Sequence, residues 1–137
     1  MPLDPALVAE TRAWLIKARR DLEAADFEMT AMPPFTGDAV FHAQQVAEKT
    51  LKAFLVWHGR IFRKTHNLVE LGEECASIEF SVEPLLRRAA PLTEYAWKYR
   101  YPGEPDEPSR EEAGEALSIA REVHTVILAM LPDDVRP

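Results

Sequence analysis

Thiol chemistry is nearly absent from this chain, which has one cysteine, Cys75, in 137 residues. An internal disulfide is thereby excluded, and so is a cysteine-ligated zinc cluster. Cys75 falls on the apolar side of a predicted helix, where a free thiol behaves as a small hydrophobe. Histidines are also sparse: His42, His58, His66 and His124 have no paired spacing on a helix, so neither a metal site nor a cofactor is expected. No glycine-rich loop precedes a helix, which removes P-loop and dinucleotide-binding folds. No apolar run approaches the roughly 18 residues that span a bilayer, so no membrane attachment is expected. The opening Met1-Pro2-Leu3-Asp4-Pro5 lacks the basic head and apolar stretch of a signal peptide, and a cytoplasmic location is expected. Sustained β-type alternation is missing, as is any internal repeat.

What is present reads as one globular domain over residues 1–137, with 47% hydrophobic and 28% charged residues. Asp4-Pro5 opens a helix, with an acid at the N-cap and proline at the first helical position. Leu7, Thr11, Trp14, Leu15, Ala18, Leu22, Ala25 and Met29 form its apolar stripe, and Pro33-Pro34 with Gly37 end it. A second helix is expected from Asp38 to His58, closed by Gly59. Its apolar arc is wide enough to need several neighbours, which makes it the centre of a bundle. His42, Gln45, Glu48, Lys49 and Lys52 occupy its polar sector.

Asn67 and Glu70 read as a capping box for a short third helix with Leu68, Leu71, Cys75 and Ile78 inward. Ser81 and Pro84 open a fourth, which Pro91 should kink or split and Pro102-Gly103 should stop. Ser109 and Glu112 form a second capping box, for a fifth helix ending at Pro132. The expectation is an all-α, up-and-down bundle of about five helices.

A formal charge of −7 argues against a protein that coats nucleic acid by bulk electrostatics. The charge is unevenly spread, however. From Lys49 to His66 there is no acid, while Lys49, Lys52, Arg60, Arg63 and Lys64 are cationic; Glu104, Asp106, Glu107, Glu111, Glu112 and Glu115 gather elsewhere. One basic patch on an acidic surface is expected, and such a patch is commonly just a solvated face.

Three stretches resemble the HEPN family of small helical bundles: Phe41 to Leu55 (FHAQQVAEKTLKAFL), Lys64-Thr65-His66-Asn67-Leu68, and Arg100-Tyr101-Pro102-Gly103. Their order and spacing extend the resemblance over nearly the whole chain. It implies a bundle that commonly forms homodimers and is often paired with a minimal nucleotidyltransferase. Some members are ribonuclease toxins of toxin–antitoxin pairs; others only bind nucleotide or RNA. The nuclease pattern is an Arg followed, after four to six residues, by a His late in the bundle. Carried to this chain, the Arg is Arg100, but Pro105, Asp106 and Glu107 stand where the His belongs. Arg60 and His66 have a matching spacing, yet eleven arginines and four histidines give about one such pair by chance.

The expected ligand site is the basic loop and the start of the third helix. There Arg60, Arg63 and Lys64 precede His66, and a helix N-terminus favours an anion. His42 and Lys49 on the central helix are further candidates, although such polar faces usually meet water or a second copy. Arg100 and Tyr101 join them, unless Arg100 only complements its own helix's C-terminal carbonyls. Trp14, Trp57 and Trp97 read as core or rim anchors, with base stacking a lesser alternative. The leading functional reading is a nucleotide- or RNA-binding module working with a nucleotidyltransferase and having little or no catalysis of its own. One alternative is a metal-independent ribonuclease using Arg60, His66 and Arg100. Another is a structural homodimer that regulates its partner.

Overall fold

The computed structural model describes residues 3–103 and 106–137, so Glu104 and Pro105 of the acidic loop lie outside the described residues. Five α-helices appear and no strand among them: α1 (Pro5–Thr30), α2 (Thr36–Trp57), α3 (Leu68–Ile78), α4 (Glu83–Ala89) and α5 (Arg110–Ala129). Among the described residues no helix is long and apolar enough to cross a membrane.

α2 is the central helix, as its wide apolar arc requires. It packs against α1, α3, α5 and the 3₁₀ segment Ala90–Ala96. Val40, Ala43, Ala47, Leu51, Phe54 and Leu55 are all buried, together with Leu15 of α1 and Ala120, Val123 and Ile127 of α5. Truncating a side chain as well enclosed as Phe54 would cost about 3–5 kcal/mol. α2 closes as predicted: Gly59 adopts φ 69°, and the Arg60 amide reaches back to the Leu55 carbonyl at 2.9 Å. Its start differs, beginning at Thr36 two residues before Asp38, with no side-chain cap on Phe35.

The two capping boxes are half-formed. Asn67 accepts from the Val69 and Glu70 amides, and Ser109 from the Glu112 amide. The returning acids go elsewhere, Glu70 to Arg63 and Glu112 to Tyr95. The fourth helix departs further from expectation. Ser81 lies in a 3₁₀ turn, Phe80–Val82, and bonds Glu79 rather than capping α4. Pro91, which has no N–H to donate, stands where the α-helix gives way to 3₁₀ geometry. Tyr99 therefore lies beyond the helix, at φ 67° in the left-handed region, although it still packs on the core.

Candidate functional site

Two polar rungs join α1 to α2. Lys49 Nζ lies 2.6 Å from Asp21, and His42 Nδ1 lies 2.8 Å from Glu28. The two rungs stand seven residues apart on each helix, Asp21 and Glu28 on α1 and His42 and Lys49 on α2, two turns along one face, which suits antiparallel neighbours. Burial pushes the Glu28 carboxyl above the ordinary range, against the opposing pull of its bond to His42. His42 and Lys49 thus meet acids of this chain, and the polar sector to which they belong is largely an internal seam.

The other half of that sector turns toward the loop before α3. Glu48 has a side chain only 5% exposed, yet it carries three donors: Gln44 Nε2 at 3.1 Å, Lys52 Nζ at 3.0 Å and His66 Nδ1 at 2.7 Å. Burial alone would raise its carboxyl; the bonds from His66, Lys52 and Gln44 outweigh that and hold it below the usual value. Lys52 is itself buried and sits over the Trp14 and Phe62 rings at 5.4 and 5.8 Å. His66 is the exposed member, with 64% of its side chain accessible. Glu48 and Lys52 were missed by sequence reasoning, which assigned both to a polar face turned to water or a second copy. Glu48 four residues before Lys52, and Gln44 four before Glu48, was the available signal.

The start of α3 is already satisfied from within. The Leu68 amide bonds Thr93 Oγ1 at 3.0 Å, the Val69 and Glu70 amides bond Asn67, and the Asn67 amide bonds Thr65. These are the N–H groups that a phosphate would need at a helix N-terminus. The arginines are engaged too. Arg60 lies 3.6 Å from Glu74 and donates to Ser77 at 3.4 Å, while Arg63 meets Glu70 at 2.8 Å. Lys64 is exposed and forms no ion pair among the described residues.

Arg100 sits at the opposite end of α2, about 30 Å of helix away from Arg60. It pairs with Asp38 at 3.0 Å and lies over the Phe41 ring at 4.1 Å, instead of complementing its own segment's carbonyls. Tyr101 beside it is exposed. Phe41 and Glu48 are seven residues apart on one face of α2, about 10 Å along the axis, and they carry Arg100 and His66 respectively. The carboxylate of Glu107 also reaches this end of α2, occupying the space a Cβ on Gly37 would fill.

The structure therefore divides the predicted residues. His66 and Arg100 share a face of α2, Arg60 and Arg63 face the acids of α3, and His42 and Lys49 are bonded to α1. Among the described residues no group of three or more His, Cys, Asp or Glu side chains could hold a metal ion. A groove of about 560 Å³ between α3 and α4 is lined chiefly by Leu68, Val69, Gly72, Ala76, Phe80 and Leu86. None of the predicted site residues lines it.

A family model, the HEPN domain, matches residues 11–130. No curated protein and no solved structure matches the chain.

Proposed function

The chain belongs to the HEPN family, and from that premise we propose that it is a nucleotide- or RNA-binding module acting with a nucleotidyltransferase partner, with little or no catalysis of its own. HEPN domains are associated with nucleotides and RNA in general. The observation that carries the reading is the placement of His66 and Arg100, two groups able to grip phosphate, over one face of α2. Lys64, two residues before His66 in the loop, adds an exposed cation.

Low intrinsic activity is supported by two features. The residues where the family's nuclease pattern has its late histidine include Asp106 and Glu107, an acid pair with no imidazole. Arg60, His66 and Arg100, the set a ribonuclease would need here, do not converge: Arg60 turns to Glu74 while Arg100 turns to Asp38.

HEPN domains commonly dimerise, and pairing of two copies belongs to the proposal, with Phe41, Trp57 and Trp97 as the expected contact aromatics. Trp97 is exposed and Phe41 and Trp57 are half-buried. A cytoplasmic location belongs to it as well. The decisive experiment purifies the chain with its natively co-eluting material and identifies the nucleotides, RNA and proteins recovered. Nucleotide or RNA together with a small nucleotidyltransferase is the expected result. A monomer that elutes with neither, and that binds no RNA at low salt, would sink the proposal.

A further inference from the structure

Burying a carboxylate is costly unless hydrogen-bond donors replace the water it gives up. At Glu48 two of the three replacements, Gln44 and Lys52, come from its own helix. The third is different in kind. His66 reaches in from the loop before α3, placing Nδ1 against the buried carboxylate while most of its ring stays in solvent.

Two consequences follow from charge and valence. An ionised carboxylate only accepts, so Nδ1 carries the proton, and Nε2 is a lone pair in the neutral ring and a donor in the cation. Lys52 is pinned between Glu48 and the faces of Trp14 and Phe62, so it cancels the Glu48 charge in place. A second proton on His66 then leaves the group with one net positive charge, at its solvent edge. The other charges on the elements around the ring are Lys64, which is exposed, Arg63, which is turned to Glu70, and Glu94 of the 3₁₀ segment, which is paired with Lys98; the same segment's Thr93 is uncharged.

We propose that Glu48, Lys52 and His66 form a phosphate-reading unit, in which Nε2–H of His66 donates to a phosphate oxygen and Glu48 is the positioning residue that sets the ring's tautomer and direction. The proposal rests on the nucleotide- or RNA-binding reading above and names the atom that meets phosphate. A nucleotide monoester and an RNA diester offer the same oxygens to such a donor, so the experiment must separate them.

The test observes the histidine ring nitrogens of the ¹⁵N-labelled full chain by NMR, during titration with inorganic phosphate, AMP and a short single-stranded RNA. In the free protein the neutral ring should carry its proton on Nδ1, facing Glu48. A bound phosphate should leave both ring nitrogens protonated, with Nε2–H donating to it. A response to AMP without one to RNA identifies a nucleotide site, and the reverse identifies RNA. Glu48→Gln should release the ring into a mixture of tautomers and weaken the responding probe about tenfold. That variant strands the Lys52 charge, so Glu48→Gln with Lys52→Met, which keeps the stem over Trp14, serves if the single change does not fold. An Nε2–H tautomer in the unaltered protein overturns the proposal. So does RNA or AMP binding, seen at other resonances, that leaves His66 unmoved; in that case the broader reading survives. Binding of no probe at all removes both.

Discussion

Tyr95 and Glu112 tie the 3₁₀ segment to the first turn of α5, the phenol donating to the carboxylate. Tyr99 reaches the same oxygen at 3.5 Å, and the two tyrosine rings stack with centroids 6.2 Å apart. Glu112 thereby braces the left-handed turn at Tyr99 that precedes Arg100. Removing it in Glu112→Ala leaves two phenols without their acceptor and should lower the unfolding free energy by about 1–2 kcal/mol. Urea unfolding reads this directly, and a midpoint indistinguishable from the parent would mean that Glu112 is no brace.

Charge removal at the loop tests where a ligand sits. Arg60→Ala combined with Lys64→Ala should weaken nucleotide or short-RNA binding by about tenfold or more, and binding in the parent should weaken steeply with salt. The melting temperature should stay close to the parent's, because both side chains are exposed. Unchanged affinity in the folded double variant would confine the ligand to the face of α2 that carries His66 and Arg100.

Stability should fall in mildly acidic solution because of two histidines. Burial depresses the His124 imidazole, and Arg121 and Arg19 add repulsion; burial and then Arg60 act likewise on His58. Each depressed group contributes stability that is fully present above the unfolded value near 6.5 and is lost as pH falls through the lower folded value. The melting temperature should therefore drop between about pH 7.5 and about pH 5.5, and His124→Gln should flatten that slope. A slope unaffected by the substitution would assign the effect to other groups.

Cys75 should be inert in the native chain. Its thiol is fully enclosed, 3.7 Å from the Leu51 carbonyl, and burial with a smaller push from Glu74 raises its pKa to about 12. A thiol reagent at mildly alkaline pH should label it only upon unfolding. Labelling of folded protein at the rate of a free thiol would contradict the packing described.

The bundle was largely legible because hydrophobic periodicity reports burial, and α2's wide arc left no place for that helix except the centre. Proline chemistry located the break in the fourth helix without giving its form, since a ring without N–H permits either a kink or a tighter coil. Caps were legible at Asn67 and Ser109, but their return partners were not. Glu70 and Glu112 found stronger donors in Arg63 and Tyr95, brought near only by tertiary packing. The candidate site was the least legible part. His42, Glu48, Lys49 and Lys52 share one polar sector by angle, yet His42 and Lys49 bond acids of α1 while Glu48 and Lys52 bond each other and Glu48 takes His66 from the loop before α3. A helical wheel cannot say which polar residues will meet a neighbour. Nor could spacing show that Arg60 and Arg63 would be claimed by Glu74 and Glu70 on the next helix.

The short run before α3 carries a further consequence. Gln44 donates to the His66 carbonyl at 3.1 Å, and Thr93 accepts from the Leu68 amide. Residues that read as a connector are thus moored to the central helix on one side and to the 3₁₀ segment on the other. The Leu68 amide can trade hydrogen for deuterium only when its bond to Thr93 opens, and the Gln44 mooring holds the chain against that opening. This junction should therefore keep time with global opening of the bundle, while the turns around it exchange by local fraying.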